Sequence, residues 1–319
     1  MQLPSPTAAD VRSAATRIAG LVHRTPVLTS RGLKERSGLD CFLKAENFQR
    51  TGSFKLRGAT NFIQRIPEAD RARGIIAYSS GNHAQAAAYA SRAAGLAATI
   101  VMPSDAPRIK IANTRDMGAR VITYDRLTEN REALSRQIAA ETGATVIPPY
   151  DHPWTIEGQG TLALELLEEI PNLDALLVCV GGGGMLSGCA LIAKDINPAI
   201  RVFGVEPALA NDHALSLKAG KPVEVAGSQT IADGLRTPKP GDITFPIVQR
   251  LVEDILLVTE DEIYEAMRFA LTRLKIVVEP SGAVCIAAAL AGKIPGGISR
   301  VGLVVSGGNV DLELLGKLA

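Results

Sequence analysis

Aromatic residues are scarce. Phe, Trp and Tyr make up 4% of the 319 residues, so any core must be aliphatic and alanine-rich. Excess charge of one sign is also missing. Lys and Arg number 34 against 33 Asp and Glu, a net +1. Without a long block of like charge, a nucleic-acid partner held by bulk electrostatics is not expected. Cysteine is rare: Cys41, Cys179, Cys189 and Cys285 form no C-x-x-C pair, and the four His are scattered. That excludes a zinc site or a disulfide framework and suits a reducing, cytoplasmic setting. No signal peptide is readable, because Asp10, Arg12 and Arg17 fall in the first periodic segment. One uncharged stretch, 175–193, is long enough to span a bilayer, yet four consecutive glycines interrupt it. It reads as a buried strand, a loop and a helix start, so no membrane partner is expected.

What is present is a globular composition, 46% hydrophobic and 21% charged. At about 150 residues per domain, the length allows two domains or one large lobed one. Apolar runs of strand length occur at 41–45, 75–78, 98–102, 120–123, 176–180, 202–205, 255–258 and 301–305. Helix-period segments lie between them, at 84–94, 129–141, 161–168 and 261–274. Strand and helix in alternation predict an α/β protein with largely parallel sheets covered on both faces. Pro148, Pro149 and Pro153 mark a candidate crossover between lobes. Residues 232–245 read as an irregular surface segment.

Four Gly- or Ser-rich loops each adjoin a strand or a helix start, and ligands of such sheets bind beyond the carboxyl ends of strands. The first is Gly181-Gly182-Gly183-Gly184-Met185. Glycines let backbone N–H groups approach an anion, and the following helix adds its positive end. It is neither a dinucleotide fingerprint nor a Walker loop, since Leu186 and Ser187 stand where Gly would be needed and no Gly-Lys-Ser/Thr follows. A phosphate is the favoured ligand, a tight strand-to-helix turn the bland alternative. The second loop is Ser53-Phe54-Lys55-Leu56-Arg57-Gly58, in which Lys55 alone would pass for a solvated lysine. The third, Ser79-Ser80-Gly81-Asn82-His83, offers small donors at a helix start, suiting a carboxylate or plain capping by Ser80 or Asn82. The fourth is Ser306-Gly307-Gly308-Asn309, otherwise a plain turn.

Together, in this order, the loops carry a resemblance over nearly the whole chain. It begins at Thr25-Pro26-Val27-Leu28 and passes through Gly158-Gln159-Gly160-Thr161, Thr230-Ile231-Ala232-Asp233-Gly234 and Val258-Thr259-Glu260-Asp261-Glu262. The sequence resembles the pyridoxal-phosphate enzymes of the tryptophan-synthase-β-like fold, within them the serine/threonine dehydratases and serine racemases. The resemblance implies fold type II: two open, twisted, mostly parallel α/β domains with helices on both faces and the cofactor between them. The small domain would be 74–149, inserted into a large one of 1–73 and 150–319. It also implies a homodimer.

Residue by residue, the resemblance puts Lys55 at the position of the lysine that forms the Schiff base, and that later removes the substrate α-proton. Phe54 would pack beside the ring. Gly181, Gly182, Gly183, Gly184 and Met185 would hold the phosphate. Asn82 would bond the ring hydroxyl and Ser306 would face the pyridine nitrogen. A neutral hydroxyl there makes the ring a weaker electron sink, so β-elimination to a keto acid and ammonia is the natural outcome. Ser79, Ser80, Gly81, Asn82 and His83 would hold the substrate α-carboxylate. Ser80 matches the second acid/base of serine racemases, so a serine or aspartate racemase stays open beside the dehydratase. Arg131 falls where a side-chain carboxylate could be reached, which favours 3-hydroxyaspartate over L-serine or L-threonine. A surface ion pair with Glu129 or Glu132 is the competing reading. Glu206 and Asp212, with the Ala210 carbonyl, resemble a divalent-cation loop for Mg²⁺ or Ca²⁺. Three features depart from close relatives. Tyr78 stands where His or a small residue is often found. Met117 replaces a nucleotide-stacking tyrosine, so ATP activation is not expected. With the sequence ending at Ala319, a C-terminal regulatory domain and feedback inhibition by isoleucine are not expected.

Overall fold

A computed structural model describes residues 3–79, 81–106 and 108–318, with 108–110 as backbone only. Ten strands occur among them: β1 (Val27–Leu28), β2 (Asp40–Ala45), β3 (Ile75–Tyr78), β4 (Ala98–Pro103), β5 (Arg120–Tyr124), β6 (Thr145–Val146), β7 (Ala175–Cys179), β8 (Arg201–Pro207), β9 (Asp254–Val258) and β10 (Arg300–Val305). They form a six-stranded sheet, β1-β2-β10-β7-β8-β9, and a four-stranded sheet, β5-β4-β3-β6. Every pairing is parallel except β1 with β2. The protein is thus α/β with two mostly parallel sheets, as the alternation implied.

Burial explains the runs. All five residues of β7 are buried, as expected of a central parallel strand covered on both faces. Helix Pro280–Leu290 covers the large sheet with five alanines and glycines between Gly282 and Ala289, so its backbone lies close to the strands. The small sheet shows the two-residue period plainly. Ile75, Ala77, Ile100 and Met102 join the alanines of helix Asn82–Ala93, whereas Ile76 and Val101 face Leu134 and Ile138 of helix Arg131–Thr142. Few aromatics are needed because alanine-rich helices can sit close.

Three expectations need correction. The helix foreseen over 161–168 is the second half of Pro153–Glu169. Gly158 and Gly160 look like breakers but are contact points: a Cβ at Gly158 would sit 2.7 Å from the Arg57 carbonyl oxygen, and one at Gly160 2.6 Å from that of Gly188. The helix foreseen over 261–274 is α-helical only for Glu260–Phe269 and then widens to a π turn, Ala270–Leu274. Residues 232–245 are not merely surface. Ala232, Leu235 and Phe245 are buried, and 233–237 closes over the glycine loop. No helix among the described residues is long and apolar enough to cross a membrane.

Candidate active site

The strand ends of both sheets enclose a cleft of about 210 Å³. Lys55 lies at its base as the first residue of helix Lys55–Gln64. The preceding residues are stitched to the end of β10: the Phe54 N–H donates to the Ser306 carbonyl at 3.0 Å, and Ser53 bridges Gly307. Lys55 Nζ donates to the Pro149 carbonyl at 2.7 Å and lies 5.2 Å from the Phe54 ring centre. Burial disfavours the ammonium and lowers its pKa to about 8.

The helix that carries Lys55 rests on buried charge. Arg57, fully buried, forms a two-pronged pair with Glu46 at 2.8 Å and a second pair with Glu165 at 2.7 Å. Lys44 Nζ completes a quartet, 2.7 Å from Glu165. Two cations balance two carboxylates, so no charge in the group is left alone.

The glycine loop is packed on all sides. An added Cβ at Gly182 would run into the Tyr150 ring, and one at Gly184 would lie 2.8 Å from the Tyr150 carbonyl oxygen. At Gly183, φ is +90° and Thr244 Oγ1 would be 2.8 Å away, so only glycine suits the position. Thr244 Oγ1 also donates to the Gly182 carbonyl at 2.7 Å. Helix Gly184–Ile196, whose first residues line the cleft, then starts with no side-chain cap among the described residues. That is an anion cradle built from backbone.

Other expected residues are placed as follows. Asn82 does not cap its helix. Its amide donates to Glu279 Oε1 at 2.7 Å and accepts from Asn309 Nδ2 at 2.8 Å, linking the two sheets. Ser306 is buried at the end of β10, its hydroxyl 3.4 Å from the Ser281 carbonyl. Beside it, burial pushes the Cys179 thiol up to about 12. Ser79 and Gly81 line the cleft, and Ser79 Oγ accepts from the Gly81 N–H. Ser80 lies outside the described residues. His83 is buried and bonded through Nε2 to the Ile147 carbonyl at 3.0 Å. Burial and the Lys55 charge lower its pKa to about 3, so the ring is neutral. Met185 is buried at the cleft edge. Arg131 also lines the cleft, and no carboxylate among the described residues lies within ion-pair distance of its guanidinium. The pair with Glu129 or Glu132 does not form: Glu129 accepts from the Asp125 N–H, and the partner of Glu132 is Arg136.

Glu206, next to last in β8, caps the start of helix Asp212–Ala219. Its oxygens accept from the N–H groups of His213 and Ala214 at 3.0 and 3.1 Å. Asp212 opens that helix with both carboxylate oxygens buried and without a hydrogen-bond partner from another described residue. Burial raises its pKa to about 7, and burial with the Asp212 charge raises that of Glu206. Ala210 is buried between them in sequence. Among the described residues no group of three His, Cys, Asp or Glu side chains could hold a metal.

The cleft also contains Tyr150, Gln159, Glu279 and Asn309, which sequence reasoning did not single out for the site. Gln159 and Asn309 sat inside quoted strings; Tyr150 and Glu279 carry no pattern of their own.

The pyridoxal-phosphate-dependent enzyme model matches residues 18–307. The chain belongs to that family. L-threo-3-hydroxyaspartate ammonia-lyase of Saccharomyces cerevisiae is 49% identical over 97% of this chain and 94% of its own. Serine racemase of Schizosaccharomyces pombe is 47% identical over 97% and 95%. The structure of maize serine racemase superposes with a TM-score of 0.95 at 43% identity, over 98% of this chain and 97% of that one. The site fits the family's cofactor on its own evidence. A lysine of lowered pKa stands in the same cleft as an uncapped helix start behind four glycines, and the buried Gln159 Nε2 in the cleft lining has no protein partner.

Proposed function

We propose that the chain is an ammonia-lyase for β-hydroxy amino acids, with 3-hydroxyaspartate favoured and L-serine and L-threonine next. The observation that carries it is the buried amine of Lys55, poised in one cleft with the backbone anion cradle at 181–185. Pyridoxal phosphate, when bound, supplies an aldehyde for the amino group and a ring that takes up the electrons of the broken Cα–H bond. Lys55 Nζ removes the α-proton, because burial leaves part of it unprotonated near neutral pH. The N–H groups of 181–185 hold the phosphate, Phe54 lies beside the ring, Asn82 bonds its hydroxyl and Ser306 faces its nitrogen. Ser79 and Gly81 hold the α-carboxylate, joined by Ser80 and His83, and Arg131 takes the second carboxylate of hydroxyaspartate. The β-hydroxyl leaves as water, and the enamine product hydrolyses to a keto acid and ammonia. Support for this substrate comes from Arg131, which has no ion pair among the described residues, and from the name of the yeast relative.

Ammonia release from L-serine, L-threonine and each 3-hydroxyaspartate isomer tests the reading. Arg131→Ala is expected to erase the preference for hydroxyaspartate; an unchanged ranking refutes the dicarboxylic substrate. Lys55→Ala is expected to lose the visible absorbance of the bound cofactor and about 10³-fold of activity. A wild type that stays colourless with added cofactor would refute the family chemistry here. Racemisation is the second reading, favoured by the fission-yeast relative. Chiral analysis after Ser80→Ala should then show racemisation lost and elimination kept.

The same reading places Mg²⁺ or Ca²⁺ at Glu206, Ala210 and Asp212, because the two buried oxygens of Asp212 have no hydrogen-bond partner from another described residue. A melting temperature raised by either ion in the wild type, but not in Asp212→Asn, is the expected result. It takes 1–73 with 150–319 as a large domain and 74–149 as a small one. It also takes a second copy of the chain as partner in the cytoplasm, which sedimentation should show as a dimer.

A further inference from the structure

This inference rests on the dicarboxylic reading and names what makes Arg131 a reader of carboxylates. Arg131 opens helix Arg131–Thr142. A cation there meets the positive end of the helix dipole, an unfavourable place for it. Glu132 shares that first turn but pairs with Arg136, and no carboxylate among the described residues lies within ion-pair distance of Arg131. A local rule broken without a protein partner points to a missing anion.

What the guanidinium does touch is the ring of Tyr78, 5.6 Å from its centre. Tyr78 ends β3, and its ring packs with Ile76, Val101 and Tyr124 against Leu134 and Ile138 of the Arg131 helix. The platform is therefore anchored both to the sheet and to the element that carries the arginine. Burial pushes the Tyr78 phenol up to about 12, so it stays a neutral donor. Tyr150 lines the same cleft with its ring against Gly182, and burial raises its pKa as well.

We propose that Tyr78 is a positioning residue that sets substrate choice: its ring holds the Arg131 guanidinium at the cleft wall, and the two, with the Tyr150 hydroxyl, form the subsite for a second carboxylate. Serine has no group for this subsite, whereas hydroxyaspartate does. Fixing the guanidinium beforehand removes the cost of ordering it on binding.

The test uses the cofactor-loaded enzyme and steady-state kinetics on L-threo-3-hydroxyaspartate and L-serine. Tyr78→Leu, which removes the ring face, is expected to raise KM for hydroxyaspartate about tenfold while kcat stays within about twofold. KM for serine should stay within about twofold, and that turnover shows the variant is folded. Tyr78→Phe, which keeps the face, should retain the preference. In an Arg131→Ala background, Tyr78→Leu should add nothing. Equal losses on both substrates, or an additive effect in the double variant, would overturn the proposal. If Tyr78→Leu does not fold, Tyr78→Met puts the same question. The two claims fail separately. If Arg131→Ala erases the preference and Tyr78→Leu does not, only the role of Tyr78 falls. If Arg131→Ala leaves the preference intact, the dicarboxylic reading falls and takes this one with it.

Discussion

The two walls of the cleft are built by opposite means. The wall beyond β7 is backbone: four glycines with neighbours where each side chain would begin. The wall beyond β3 is side chain: Tyr78, Ser79 and, from the helix that follows β5, Arg131, all partly open to solvent. A backbone wall recognises an anion through N–H groups whose positions cannot be retuned by small substitutions. A side-chain wall can change its ligand one residue at a time. The difference teaches where each task is best built: a fixed anion suits the first wall, and the part of a ligand that must be discriminated suits the second.

The sharpest way to break this comparison is Gly182→Ala. The methyl would meet the Tyr150 ring, and overpacking of about 3 kcal/mol corresponds to roughly a hundredfold weaker cofactor retention. Equilibrium dialysis measures it; unchanged retention would mean the wall can give. A middle-sized effect sharpens the contrast at the base of the cleft. The rate of cofactor uptake follows the unprotonated fraction of Lys55, so it should rise with pH around a midpoint of about 8 rather than 10.5. That is about a tenfold gain from pH 7 to pH 9, readable by stopped-flow absorbance. A midpoint near that of an ordinary lysine would show that burial does not act on this amine. The smallest effect belongs to the side-chain wall. Glu132→Gln removes a carboxylate next to Arg131 in sequence, and should change KM for hydroxyaspartate by no more than about twofold. A larger change would mean that Glu132 competes for the guanidinium in solution.

Legibility followed the same division. β7 and β10 announce themselves as aliphatic runs, because a central strand is buried on both faces. β1 and β6 do not, since two residues carry no period and exist only through their neighbours. Gly158 and Gly160 concealed half of a helix, because close approach of two helices leaves no trace but the glycine itself. Within the site, Lys55 and the glycine loop stand in recognisable strings. Tyr150 and Glu279 do not, as they reach the cleft only through the crossing of the chain at 148–153 and the start of helix Pro280–Leu290. Arg131 was legible as a position, yet its lack of a partner was not, because Glu129 and Glu132 are equally near in sequence and their engagements elsewhere are a matter of geometry.

The quartet of Arg57, Lys44, Glu46 and Glu165 has a consequence for descent. Removing one member leaves a stranded charge, a loss of about 3–5 kcal/mol and a large part of what holds a fold together. Lineages can therefore exchange these residues only in compensated pairs, a rare event. The pedestal under the reactive amine is frozen in this way, while Tyr78 and Arg131, a helix away, are free to drift one step at a time. New substrate preferences can arise without the chemistry having to be reinvented.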